Sequence, residues 1–330
     1  MLSSSTNTSG SSNLLSVVLV GIPGVEALYS WILVFFCLLG VLALGGNLLL
    51  ILIIKTNDSL QTPMYDFVSM LAIADLALSL VTFPTVLGVF SSQSVKLSLA
   101  VCLAQMFFVH FLSVAESSVL LVMAYDRLVA ICNPLRYSSL LTNQLIRRLG
   151  LFTVLRGLAV MLPIPIMLKR SSLCKGTALS HAFCLHPDLM RLLCSNITTN
   201  NGYSIFAVLS TMGVDALLIL LSYALILRAI CRLSLASERW KAFNTCACHI
   251  SLLLFFYTPM ISLSMIHRLG GHTSSTVHAP MAYIHFLLPP ALNPIIYGIK
   301  TKKIYQQITR NAKETFLSWM HRPKGLSVLL

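Results

Sequence analysis

Met123-Ala124-Tyr125-Asp126-Arg127-Leu128-Val129-Ala130-Ile131-Cys132 closes an apolar run that starts near Phe107 and carries one His and one Glu. An acid and a base side by side where a membrane helix meets water are costly unless solvated, paired or used. Alone, the pair reads equally well as a cytosolic anchor with an incidental acid or as a working site. Pro134-Leu135-Arg136-Tyr137 follows at once.

Outward from this stretch the chain is apolar almost throughout. Hydrophobic residues make up 56% and charged residues 10% of 330, against roughly 25% charged in soluble domains. A helix needs about 20 mostly apolar residues to cross a bilayer, and seven stretches qualify: about 29–54, 63–90, 99–125, 145–168, 203–229, 243–266 and 279–299. They leave no room for a sizeable soluble domain. The expected architecture is an all-α membrane bundle of seven spans over 29–299, preceded by an outer tail (1–28) and followed by a cytoplasmic tail (300–330).

In a soluble chain the net charge of +13 would suggest nucleic acid. Here the Lys and Arg residues fall mostly on one side if the N-terminus lies outside, a topology signal that also suits anionic inner-leaflet lipid. The bilayer is thus the expected polyanionic partner, and nucleic acid is not one. Residues 1–13 are too polar for a cleavable signal core, so the first span serves as the targeting signal. Asn7 and Asn196 head glycosylation sequons on the outer side; the sequon at Asn57 falls on the cytosolic side and stays bare.

Nine cysteines divide by side. Cys102, Cys174, Cys184 and Cys194 lie outside, where disulfides persist, and four cysteines allow three pairings. Cys246 and Cys248 share a span with no partner set, so no metal site is expected, and nothing in the chain asks for a cofactor. The connection 169–202, about 34 residues, is long enough to be a functional lid. Past the last span, Ile304 and Ile308 fall on one face of an amphipathic stretch suited to the inner leaflet.

Polar groups recur inside the spans: Asn47 in the first, Asp75 in the second, and Asn293-Pro294-Ile295-Ile296-Tyr297 in the last. Each needs a partner in the bundle. In this order, with Asp126-Arg127 between them, they resemble the pattern of rhodopsin-like G-protein-coupled receptors. The ten-residue stretch at 123–132 and Lys241-Ala242-Phe243-Asn244-Thr245-Cys246 resemble the olfactory branch. So does Phe256-Tyr257-Thr258-Pro259, which stands where other branches carry a Cys-Trp-x-Pro toggle. Asn133, Cys184-Leu185-His186, Val154-Leu155-Arg156 and Ile266-His267-Arg268 are similar to class I (fish-like) olfactory receptors. The likeness runs from about residue 15 to 310.

The resemblance implies a receptor for a small volatile or semi-volatile odorant that activates a heterotrimeric G protein of the stimulatory olfactory type and raises cAMP at the plasma membrane. It pairs Cys102 with Cys184, leaving Cys174 to Cys194. It makes Asp126, Arg127, Tyr223, Lys241, Asn293, Pro294 and Tyr297 the coupling and switch residues. Pro259 is expected to kink the sixth span. Asp75 and Glu116, two acids in facing spans, would repel if both were bare, so a shared proton or a sodium ion is expected between them. Arg156 and Asp215 are buried charges for which the sequence names no partner.

His110 lies roughly 12 Å down the third span from Cys102. In class I receptors its position and that of Arg268 are linked to small carboxylic acids. A guanidinium suits a carboxylate through its paired, permanently charged donors. Ser264, one turn before Arg268, joins them, with Phe107, Val114, Leu209 and Tyr257 housing an aliphatic tail. Leu128 departs from the Tyr usual after Asp-Arg, Asp66 interrupts a usual Tyr-Phe-Leu, and Pro187 stands where a polar loop residue is common. The alternative is a multi-span transporter or channel for small organic anions, weakened by the absence of repeated halves. No hydrolase, zinc-protease or phosphate-loop motif points to an enzyme.

Overall fold

A computed structural model describes residues 16–22, 24–171, 176–194, 198–269, 275–301 and 303–310; within these, the side chains of 241, 245, 248, 264–269, 275–279 and 300 lie outside the description. In chain order the elements are β1 (Ser16–Val20), α1 (Tyr29–Thr56), α2 (Pro63–Ser92), β2 (Ser94–Ser98), α3 (Leu99–Cys132), α4 (Tyr137–Leu140), α5 (Asn143–Met161), α6 (Pro163–Lys169), β3 (Ala178–Leu179), α7 (His186–Arg191), α8 (Thr198–Val208), α9 (Val214–Cys231), α10 (Ala236–Leu269) and α11 (Ser275–Lys300). Residues 303–310 are also helical, with Ile304 fully buried.

Local chemistry sets the helix ends. Pro63 opens α2 at a position whose N–H has no helical partner anyway. Ser98 caps α3 by accepting from the Val101 amide at 3.3 Å, and Thr142 caps α5 from the Leu145 amide at 3.3 Å. Pro163 breaks the fourth helical stretch into α5 and α6. A π-turn at Leu209–Gly213 joins α8 to α9.

Among the described residues five helical stretches are long and apolar enough to cross a membrane: 26–56, 63–92, 99–132, 143–169 and 198–231. A sixth is α10 if its two bent halves are one span. Its 45° bend lies between Asn244 and His249, not at Pro259. Of the five stretches, that of α3 is the most enclosed, with 72% of its window buried, and it packs against α2, α5 and α9. Outward faces carry bare apolar side chains such as Trp31 (76% exposed) and Leu220 (69%), a surface that suits lipid.

One element departs from the expected free tail. Ser16–Val20 is the central strand of a three-stranded sheet, antiparallel to β2 (Val18 opposite Lys96) and parallel to β3 (Val18 opposite Ala178). Val17 and Leu19 are fully buried while their neighbours are half-buried, the alternation of a strand with one covered face. Three of its five residues are valines, β-branched and suited to a strand.

Candidate functional site

The lid crosses the bundle with three of its amides each caught by a bundle side chain. Ala182 N–H donates to the Tyr283 hydroxyl (3.1 Å), Cys184 N–H to Gln105 Oε1 (2.9 Å) and His186 N–H to His110 Nε2 (3.3 Å). The Cys102–Cys184 disulfide pins its middle, with Cα atoms 5.5 Å apart. Cys194 is also disulfide-bonded; Cys174 lies outside the described residues.

Beneath the lid is a cavity of about 360 Å³. Its described lining includes His110, Ser113, His186, Arg191 and His285 among apolar side chains, four of them methionines (Met161, Met190, Met212, Met260). Met side chains are flexible and polarizable, so they mould to different ligand shapes. Burial pushes the His186 imidazole down to about 4. Ser113 Oγ and His285 Nε2 stand 3.5 Å apart at the inner end.

Below the cavity a polar cluster ties α3, α5, α9 and α10. Arg156 Nη1 donates to Asp215 Oδ1 (2.8 Å) and to Ser118 Oγ (2.9 Å), and its Nη2 to the Ser210 carbonyl (3.1 Å) in the π-turn. Ser117 Oγ donates to Asp215 Oδ2 (2.9 Å) and meets the Tyr257 hydroxyl at 2.8 Å. The two buried charges that lacked partners in the sequence are therefore each other's partner, with their remaining bonds supplied by hydroxyls and a carbonyl. A buried ion pair requires this to offset desolvation.

Deeper still, Asn293 Nδ2 donates to Asp75 Oδ2 at 2.8 Å. Asp75 and Glu116 are in side-chain contact, and each keeps one oxygen without a donor among the described residues. Asn47 Nδ2 bridges the Ala43 and Pro290 carbonyls, both at 2.8 Å. A Cβ on Gly46 would meet Pro294 Cγ at 2.8 Å, so only glycine lets α1 approach α11 this closely.

At the end of α3 away from the lid, Arg127 pairs with its neighbour: Nη2 donates to Asp126 Oδ2 at 2.6 Å and Nε at 3.0 Å. Tyr137 on α4 donates to Asp126 Oδ1 at 2.6 Å. Burial, reinforced by that carboxylate, raises the Tyr137 phenol well above its usual range. Tyr223 and His249 Nδ1 meet at 2.7 Å, and Tyr297 donates to Met123 Sδ at 3.7 Å. Asp126, Arg127, Tyr223, Asn293 and Tyr297 are thus each bonded to a neighbour in the bundle.

The olfactory receptor family model matches residues 36–315. The chain belongs to the olfactory receptor family. It is similar to human olfactory receptor 51G2, 48% identical over 305 residues, which cover 92% of this chain and 97% of that protein. Human olfactory receptor 51L1 is 47% identical over 287 residues (87% and 91%), and rat olfactory receptor 51E2 is 44% identical over 291 (88% and 91%). This places the receptor in class I. It is an odorant-sensing, G-protein-coupled, multi-pass membrane protein and not an enzyme.

Of the seven residues expected around a ligand, the structure puts His110 on the receptor's cavity. Leu209, the first residue of the π-turn, is 60% exposed and is not among the described lining. Tyr257 is held in the Ser117–Asp215 cluster, Val114 is buried in the core, and Phe107 stacks on Phe111 with centroids 5.7 Å apart; none of the three is among the described lining. The side chains of Ser264, Arg268 and Lys241 lie outside the described residues, as do Asn7 and Asn196.

His249 and His285 were not singled out in the sequence. A His inside an apolar span is itself the signal that could have found them, since it must have a partner or a task.

Proposed function

We propose that this receptor has seven spans with the N-terminus outside, α10 and α11 being the sixth and seventh, and resides in the plasma membrane. It binds a small carboxylic acid in the lid-covered cavity and couples to the stimulatory olfactory-type G protein, raising cAMP. One observation supports this best: a cavity of ligand size beside the His186–His110 bond between lid and bundle, next to the polar cluster that reaches α10. His110, Ser264 and Arg268 are assigned to the acid group.

Ligand bound there biases the bundle toward a state in which α10 moves, Tyr223 leaves His249, and Arg127 leaves Asp126 for the G protein. Asn293, Pro294 and Tyr297 carry the matching change in α11, and Lys241 lies on the coupling face. Asp75 and Glu116 hold a shared proton or a sodium ion. Cys174 pairs with Cys194, and Asn7 and Asn196 carry glycans. The anion-transporter alternative draws no support from the receptor family to which the chain belongs.

The test is cAMP in cells co-expressing the olfactory-type G protein, dosed with short- to medium-chain carboxylic acids, for wild type and Arg268→Ala at matched surface level. Loss of the response in the variant supports the anchor. A surviving response removes Arg268 from the site and keeps the receptor.

A further inference from the structure

Asp188 and Arg191 stand three residues apart on the lid helix α7 (His-Pro-Asp-Leu-Met-Arg), the spacing at which an acid and a base on a helix normally pair. They do not. Asp188 turns inward, 3% exposed, and its Oδ2 is in close contact with Nδ1 of His181, itself 1% exposed. His181 lies just before the segment that crosses the bundle and Asp188 just after it, so the contact clasps the lid on both sides of the disulfide. Arg191 is an exposed residue on the lining of this largely apolar, methionine-rich cavity, and its permanent charge is paired with no described carboxylate.

We infer that Arg191 is an anion-recognising group of this cavity, kept available because His181 holds the single acid of its own helix. His181 and Asp188 are then positioning residues: neither lines the cavity, yet together they decide whether Arg191 faces a ligand carboxylate or an internal one. Arg191 offers paired donors to the carboxylate, which brings the negative charge that the lid helix withholds. The inference rests on the carboxylic-acid reading above and adds to it a second cation, supplied by the lid.

The experiment uses the full-length receptor in cells with the olfactory-type G protein, hexanoic acid as probe, and cAMP normalised to surface receptor. Arg191→Gln is expected to raise the half-maximal concentration by roughly ten- to a hundredfold, the range of one charge-assisted bond of about 1.5–3 kcal/mol. His181→Ala is expected to act in the same direction by releasing Asp188 toward Arg191. Adding Asp188→Asn to His181→Ala is expected to restore potency toward wild type, a rescue that mere lid damage would not give. A half-maximal concentration within twofold of wild type in Arg191→Gln overturns the inference, and a double variant no better than His181→Ala overturns the clasp's part in it. If Arg268→Ala abolishes the response while Arg191→Gln leaves it intact, the acid reading stands and this inference falls. A wild-type receptor that answers other odorants but no carboxylic acid overturns both.

Discussion

Asn47 donates its side-chain amide to the Pro290 carbonyl at 2.8 Å, the carbonyl four residues before Pro294. In an unbroken helix the residue-294 amide would satisfy that carbonyl; proline has no N–H to give. A side chain from α1 therefore completes the backbone of α11, and Gly46 beside it gives the clearance. The Asn-Pro break in α11 is stitched to α1 and stays weaker than a helix along its own axis, a property suited to a segment that must rearrange.

Asn47→Leu should leave the Pro290 carbonyl unpaired in the bundle and cost about 1–3 kcal/mol. Gly46→Ala should separate α1 from α11 and lower stability in the same direction. Thermal melting of the purified receptor in detergent checks both. A melting temperature unchanged in Asn47→Leu would mean that the carbonyl finds another donor.

Arg156 and Asp215 should show the asymmetry of a buried pair. Asp215→Ala leaves an uncompensated guanidinium and is expected to cost about 3–5 kcal/mol, with a severe loss of surface receptor. Replacing both with leucine should recover much of that stability, because no charge is left stranded. The double variant should still lose signalling, since Ser117 and Tyr257 no longer meet α9 through Asp215. Surface expression and stimulated cAMP, measured on the same cells, separate the two effects.

Much of this was legible in the sequence, and the parts that were not share a physical cause. Span positions follow from apolar runs longer than a bilayer, and the Asp126-Arg127 site from charges at a span's end. Arg156 and Asp215 were visible as charges in lipid, but their pairing depends on how α5 and α9 sit side by side, which periodicity does not carry. The π-turn at Leu209–Gly213 was not legible either, because no residue in Leu-Ser-Thr-Met-Gly marks such a turn. The strand at Ser16–Val20 was hidden by its setting: a five-residue run with three valines beside a polar tail forms a strand only because β2 and β3 offer edges.

His186 makes the lid pH-sensitive. Its imidazole is held down to about 4 by burial, against about 6.5 in an unfolded chain. The unfolded state therefore binds the proton first as pH falls. The neutral ring's share of stability is present in full above about pH 6.5 and is lost progressively between there and about pH 4. His186→Gln should flatten the pH dependence of melting over that window and leave it unchanged above pH 7. A variant with the wild-type slope would assign the slope to other groups.

Tyr137 sets the resting tone of the cytosolic face. Its hydroxyl and Arg127 share the Asp126 carboxylate, one oxygen each. Tyr137→Phe removes a hydrogen bond to a charged acceptor, worth about 1.5–3 kcal/mol, and frees Oδ1. With one oxygen open to water, Asp126 rotates more readily and holds Arg127 less firmly, so the closed population shrinks. Basal cAMP per surface receptor should rise several-fold. Tyr223→Phe supplies the contrast: it breaks the bond to His249 between α9 and α10, but it also removes a hydroxyl of the proposed switch. Its basal signal should rise while its ligand-stimulated maximum falls. If both variants raise the basal level and keep the full maximum, Tyr223 acts only as a restraint on the closed state, and the active state must draw its hydroxyl from elsewhere.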